Sequence, residues 1–170
     1  MKSNGRKSPV RRPIAGRRRE TIEPVDLKIV NALLDDARLS YRQIASKLGV
    51  ATATVAQRIR NMEGIGVLRG ARPLLDYEKL GYYFHVLTQV KVKHGKLFAV
   101  ERRISAMPHV YAVYDHTGGT DATVLARFRE RSELDRYLKA VQAIPHVERT
   151  ETQLVLNVIK DNISRLPDPL

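Results

Sequence analysis

In the stretch Thr52-Ala53-Thr54-Val55-Ala56-Gln57-Arg58-Ile59-Arg60-Asn61, Val55 and Ile59 lie four residues apart, with Met62 three further on. That spacing predicts a helix over Thr52 to Glu63 with those three side chains facing inward. Ala53, Gln57 and Arg60 then face outward, flanked by Thr54, Ala56 and Asn61. Small or polar side chains near the start of such a helix suit the major groove of a DNA duplex. Gln57 can pair bidentately with adenine, while Thr52 and Thr54 can hydrogen-bond a base or touch a thymine methyl. Arg58, Arg60 and Arg69 can reach phosphates and so fix register. Any small three-helix domain has polar outward faces, so the pattern gains weight only with the charge around it.

That charge is strongly basic. The 170 residues carry 30 Lys+Arg against 18 Asp+Glu, a formal net charge of +12. Residues 1–24 hold eight basic side chains, including Arg17, Arg18 and Arg19, against Glu20 and Glu23, which is half the excess. The arm also has Gly5, Pro9, Pro13 and Gly16, few apolar residues and no period, so it is expected to be disordered in isolation. A basic arm points to a polyanion, either nucleic acid or an acidic membrane surface, and otherwise to a solubilising tail.

Other chemistries are poorly represented. Without cysteine there are no disulfides, thiolate zinc sites or thiol nucleophiles, and a reducing cytoplasm fits best. The five histidines lack metal-ligand spacing, and neither a nucleophile elbow nor a phosphate loop occurs. No metal, cofactor or catalytic group is therefore expected. No apolar run approaches the ~20 residues of a membrane span.

The elements that must hold the Thr52 helix can be read around it. Val25, Ile29, Ala32 and Leu33 predict a first helix from Val25 to Asp35. Ser40 and Gln43 form a capping-box pair for a second helix bearing Ile44, Ala45 and Leu48, and Gly49 ends it. After the third helix, Gly66 to Arg72 and Leu74 to Asp76 read as two short strands with a basic tip, and Pro73 makes the second an edge strand or one that begins after it. Three helices and such a strand pair make a winged helix-turn-helix.

Beyond residue 81 the period changes. Strands are expected around Phe84 to Val92, Val110 to Asp115, Ala122 to Arg129 and Thr150 to Ile159. Helices are expected on the stripes Leu97, Val100, Ile104 and Leu134, Leu138, Val141, Ile144, the second capped by Ser132. Met107-Pro108-His109-Val110 and Ile144-Pro145-His146-Val147 repeat 37 residues apart, each between a helix and a strand. Tandem β-α-β units predict a ferredoxin-like βαββαβ domain, so the chain as a whole reads as α+β. The expected divisions are an arm over 1–24, the DNA-binding unit over 25–72, a linker over 73–81, an effector-binding and oligomerisation domain over 82–162, and a tail over 163–170.

These residues resemble the Lrp/AsnC, or feast/famine, regulators. The similarity lies in Asp26-x-x-Ile29, Leu33-x-x-Asp36-Ala37-Arg38-Leu39-Ser40, Ile44-Ala45-x-x-Leu48-Gly49-Val50 and Arg58-Ile59-x-x-Met62-Glu63-x-x-Gly66-Val67. It continues through Gly118-x-x-Asp121 and the Thr-rich last strand, covering about residues 25–160. The resemblance implies a DNA-binding transcriptional regulator that works as a dimer or dimer-based assembly and answers to an amino acid or similar metabolite. It places the effector beside Gly118, Gly119, Thr120, Asp121, Thr150 and Thr152. Glycines there let backbone amides approach a carboxylate, and Asp121 can pair with an ammonium group, although a plain hairpin turn would look the same. One departure is Ala51-Thr52-Ala53, where the family commonly has Ser-Pro-Thr. Ala51 caps poorly, at a cost of about 1 kcal/mol unless Thr52 takes over.

One sheet face would be covered by helices and filled by Val86, Val90, Val124, Leu154 and Leu156. The other would show Leu87, Val113, Leu125, Val155 and Ile159, which calls for a partner, most simply a second copy. Two other readings compete. Siroheme decarboxylases have a similar two-domain layout, and in a nonspecific nucleoid-type packer the arm would matter and the DNA sequence hardly at all.

Overall fold

In a computed structural model of the chain, residues 22–161 are described. The arm, with Arg17, Arg18 and Arg19, and the tail over 163–170 lie outside them. The described chain forms two units, which divide between Arg72 and Pro73.

The first unit has three helices, α1 (Pro24–Asp35), α2 (Tyr41–Leu48) and α3 (Thr52–Gly64). Each boundary has a local cause. Pro24 occupies the first turn of α1, where a missing amide costs nothing. At α2, Ser40 Oγ accepts from the Gln43 amide at 3.3 Å and Gln43 Oε1 accepts from the Ser40 amide at 2.8 Å. Gly49, at φ 67°, ends α2 in the left-handed conformation. Ile29, Ala32, Ile44, Ala45, Val55, Ile59 and Met62 are buried together, and this shared core fixes which face of α3 remains outside.

The expected wing is not formed, because residues 66–76 contain no strand. The amides of Val67 and Leu68 both bond back to the Met62 carbonyl, at 2.8 and 3.1 Å, closing the end of α3 instead of starting a ladder. Gly66 and Gly70 adopt positive φ and Pro73 has no donor, so the segment cannot stay extended and paired. Leu74 is 95% exposed.

The second unit consists of β1 (Phe84–Val92), α4 (Leu97–Ile104), β2 (Val110–Asp115), β3 (Ala122–Phe128), α5 (Arg131–Gln142) and β4 (Val147–Leu154). The sheet order is β2-β3-β1-β4 with every neighbour antiparallel, the ferredoxin-like arrangement. Along β1 and β3 buried residues alternate with partly exposed ones. Val86, Val90, Val124, Ala126 and Phe128 share one core with Val100 and Ile104 of α4 and Tyr137 and Val141 of α5.

Four details depart from expectation. First, β4 runs from Val147 to Leu154, not from Thr150 to Ile159. Val86 pairs with Leu154, and only the Val155 amide still reaches β1, at the His85 carbonyl. The ladder to β1 stops there, so Leu154 and Leu156 are exposed instead of filling the core, and Ile159, expected on the second face, is exposed beyond the strand. Second, the register of β2 shifts between Val110 and Ala112, so Val113 lies opposite Val124 and packs on the core, not on the second face. Third, the cap of α5 is Glu130 in a capping box with Glu133, and Ser132 only donates to the Glu130 carboxylate. Fourth, the expected linker is tied to the sheet: the Arg127 guanidinium lies 4.0 Å from the ring centroids of both Tyr77 and Tyr111.

The repeated Pro-His pairs are turn geometry. The His109 carbonyl accepts from the Arg127 amide and the His146 carbonyl from the Lys93 amide. The remaining histidine contacts are scattered over the unit: His85 bonds the Tyr111 hydroxyl at 2.6 Å and His116 the Thr123 hydroxyl at 2.8 Å.

Candidate nucleic-acid interface and effector loop

Burial of Val55, Ile59 and Met62 turns Thr52, Ala53, Thr54, Gln57, Arg60 and Asn61 outward, and all six are exposed. Ala53, Thr54, Gln57, Arg60 and Asn61 line one shallow groove, with Glu23 and Arg58 along its side. Within it the polar side chains are linked. Arg60 Nη2 donates to Gln57 Oε1 at 2.8 Å, and Gln57 Nε2 donates to Asn61 Oδ1 at 2.8 Å. Arg69 is also exposed, past the end of the helix. Ala51 is the N-cap and makes no side-chain bond, so Thr52 does not take over the cap.

Arg58 is placed differently from the phosphate contact expected of it. Its guanidinium is ion-paired with Glu23, at the root of the arm, and lies 3.6 Å from Asp26 Oδ1. Asp26 is 3% exposed and burial pushes its carboxyl up from the ordinary range. Arg58 is thus the cation that supports a buried carboxylate of α1 and pins the start of α1 to α3. Sequence spacing could not reveal this pair, because its partners are some thirty residues apart. Asn61 was placed only at the flank of the outward face, and its bond to Gln57 is a further finding.

The effector candidates fall into two groups within one chain. Gly118 and Gly119 are exposed, Gly118 at φ 133°, a conformation only glycine adopts readily. Asp121 is already engaged: it accepts from the Val92 amide at 2.8 Å and the Lys91 ammonium at 3.2 Å, which together hold its carboxyl below the usual range. Thr150 and Thr152 lie across β1, opposite Val90 and Thr88, and share their helix-covered face. Thr152 meets the Thr88 hydroxyl at 3.0 Å, and Thr150 accepts from Gln142 at 3.4 Å. Lys91 and the threonines therefore sit on opposite faces of the sheet. Among the described residues no cluster of three or more His, Asp or Glu could hold a metal ion.

The Asp121 bonds give a pH-dependent expectation. Its folded pKa lies below the ordinary 3.8, so the carboxylate contributes stability above pH 3.8 that is lost as pH falls through the folded value. Wild type should be more stable than Asp121→Asn at neutral pH, and their thermal midpoints should converge on acidification. Parallel pH profiles would show that this carboxylate does not hold the loop.

A three-helix unit exposing this face of α3, followed in one chain by a ferredoxin-like sheet, defines a class of DNA-binding regulator. Residues 23–63 match the AsnC-type helix-turn-helix domain and residues 85–164 the Lrp/AsnC ligand binding domain. The chain is 40% identical over 146 residues to the HTH-type transcriptional regulator PF1734 of Pyrococcus furiosus, covering 86% of this chain and 99% of that one. It is 34% identical over 143 residues to the HTH-type transcriptional regulator FL11 of Pyrococcus horikoshii, covering 84% and 95%. The structure of E. coli AsnC superposes with a TM-score of 0.78 at 26% identity, over 85% of this chain and 99% of that one. The fold is shared too with transcriptional regulator NMB0573 of Neisseria meningitidis, solved as an L-Met complex, at a TM-score of 0.79 and 20% identity over 86% and 97%. The chain belongs to the Lrp/AsnC family: it is a transcriptional regulator with a helix-turn-helix and a ligand-binding domain.

Proposed function

We propose that the chain binds double-stranded DNA sequence-specifically through α3 and that an amino acid, bound by the second unit, modulates this binding. The observation that carries the reading is the outer face of α3: Thr52, Thr54, Gln57 and Arg60 are exposed on a helix whose opposite side is wholly buried. Arg69 and the basic arm, including Arg17, Arg18 and Arg19, add phosphate contacts that hold register. In this division of labour residues 25–72 read DNA, residues 73–81 connect, and residues 82–162 assemble the protein and bind the effector at Gly118, Gly119, Thr120, Asp121, Thr150 and Thr152. The solved L-Met complex of the similar fold supports an amino acid as the effector class.

The sheet face away from the helices supports a homodimer. Leu87, Leu125, Ala112 and Val155 lie on it partly exposed, next to Tyr111 and Tyr114. A second copy of the same face would remove that apolar surface from water, and two-fold symmetry then presents two copies of α3 to a partial palindrome. An effector bound at this or at a higher, dimer-based interface can shift assembly, and so DNA affinity.

The test is selection of duplexes from a random pool, with and without a panel of amino acids. An enriched partial palindrome whose binding changes with at least one amino acid is expected. Failure to enrich any sequence would leave a nonspecific packer, and indifference to every amino acid would remove the effector assignment.

A further inference from the structure

We propose that Arg60 reads a guanine in the major groove and that Gln57 aims it, so that Gln57 is a positioning residue and not the adenine reader its type suggests. This rests on the DNA-binding reading of α3. The argument begins with the direction of the hydrogen bonds. Arginine only donates, so the Gln57 oxygen must face Arg60, as it does at 2.8 Å. The Gln57 amide nitrogen is thereby turned to Asn61, which must present its own oxygen, again at 2.8 Å. Flipping either amide would set donor against donor or acceptor against acceptor.

The chain of bonds leaves a particular surface. One of the five guanidinium N–H donors of Arg60 is spent on Gln57, and four remain. Among the described residues the Asn61 amide nitrogen has no acceptor, which leaves both of its donors. The exposed edge of the network is therefore rich in donors. Guanine offers two acceptors, O6 and N7, on its major-groove edge, whereas adenine pairs one acceptor with a donor and cytosine offers a donor. A donor pair on Arg60 matches guanine best. Gln57 also fixes a long side chain that would otherwise be ordered only on binding, which favours a single geometry. Arg58, two residues earlier on the same helix, is taken by Glu23 and Asp26, so Arg60 is the α3 arginine left to face DNA.

The test compares base preferences, selected from a random duplex pool and confirmed by competition, for wild type, Arg60→Ala and Gln57→Ala. Arg60→Ala should flatten the preference for one guanine in each half-site and weaken the selected site about 10-fold or more. Binding to random duplex should fall much less. Gln57→Ala should weaken the same guanine preference and leave every adenine position unchanged. Arg60→Ala weakening all sequences alike would make Arg60 a phosphate contact and overturn the assignment. A Gln57→Ala variant that loses an adenine and keeps the guanine would overturn it as well. A wild-type chain that selects no sequence would instead overturn the DNA-binding reading, and this assignment with it.

Discussion

Deleting residues 2–19 is expected to flatten the salt dependence of duplex binding more than any single substitution. The segment contains Lys2, Arg6, Lys7, Arg11, Arg12, Arg17, Arg18 and Arg19 and no acidic residue. Each phosphate neutralised by a cation releases condensed counterions, so each lost contact reduces the slope of log K against log salt by ~0.9. Engagement of only half of these side chains gives a slope change of about 3.6 and an affinity loss of orders of magnitude at low salt. Position supports an active arm. Glu23, just after the segment, is held on α3 by Arg58, and Ile22 and Glu23 border the surface that carries Arg60 and Asn61. The first described residues, Ile22 and Glu23, therefore lie beside the face proposed to meet DNA. Binding isotherms at several salt concentrations give the slope directly, and an unchanged slope would show that the arm touches no phosphate.

Arg58→Ala should destabilise the helical unit by about 2–3 kcal/mol, less than the loss of a fully buried ion-pair partner, since the arginine side chain is 21% exposed. The substitution strips Asp26 of its nearest cation, and among the described residues Asp26 Oδ1 has no hydrogen-bond partner to replace it. Burial already raises the Asp26 pKa above the ordinary 3.8. A raised carboxyl pKa means that the folded state holds its proton longer than the unfolded chain, so stability falls as pH rises through the folded value. Removing Arg58 raises that pKa further. The deficit of the variant should thus be full at neutral pH and shrink as pH drops through the raised folded values toward 3.8. Denaturant midpoints across pH measure it. Should Arg58→Ala keep its stability while the salt slope drops by one contact, Arg58 would be a phosphate contact after all.

Signals confined to a few neighbouring residues were legible in the sequence. Ser40 with Gln43, Gly49, and the stripe of Val55, Ile59 and Met62 specify α2, its end and the inward face of α3, and each is realised. Period-two and helical runs gave the βαββαβ order, and the repeated Pro-His pairs marked two equivalent turns. What escaped depended on partners distant in the chain. The end of β4 depends on where its ladder to β1 stops, the turning of Val113 on one shifted register against β3, and the Arg58–Asp26 pair on how α1 packs on α3. Gly66 to Asp76 has a strand-like composition, yet the Gly66 amide is taken by the Glu63 carbonyl and those of Val67 and Leu68 by the Met62 carbonyl. In the effector loop, residue types alone suggested an ammonium-binding Asp121, and the bonds that the carboxylate accepts from Val92 and Lys91 could not be read from spacing.

The central claim is that the outer side of α3 enters the major groove. It is tested most directly by anisotropy titration of a labelled duplex bearing the selected site, at low ionic strength, with wild type and with the combined Thr54→Ala, Gln57→Ala and Arg60→Ala variant. Wild type should bind the site far more tightly than a scrambled duplex. The variant, with its buried face intact, should stay folded and bind both duplexes equally weakly. Absence of duplex binding by wild type, or undiminished preference in the variant, would contradict the claim.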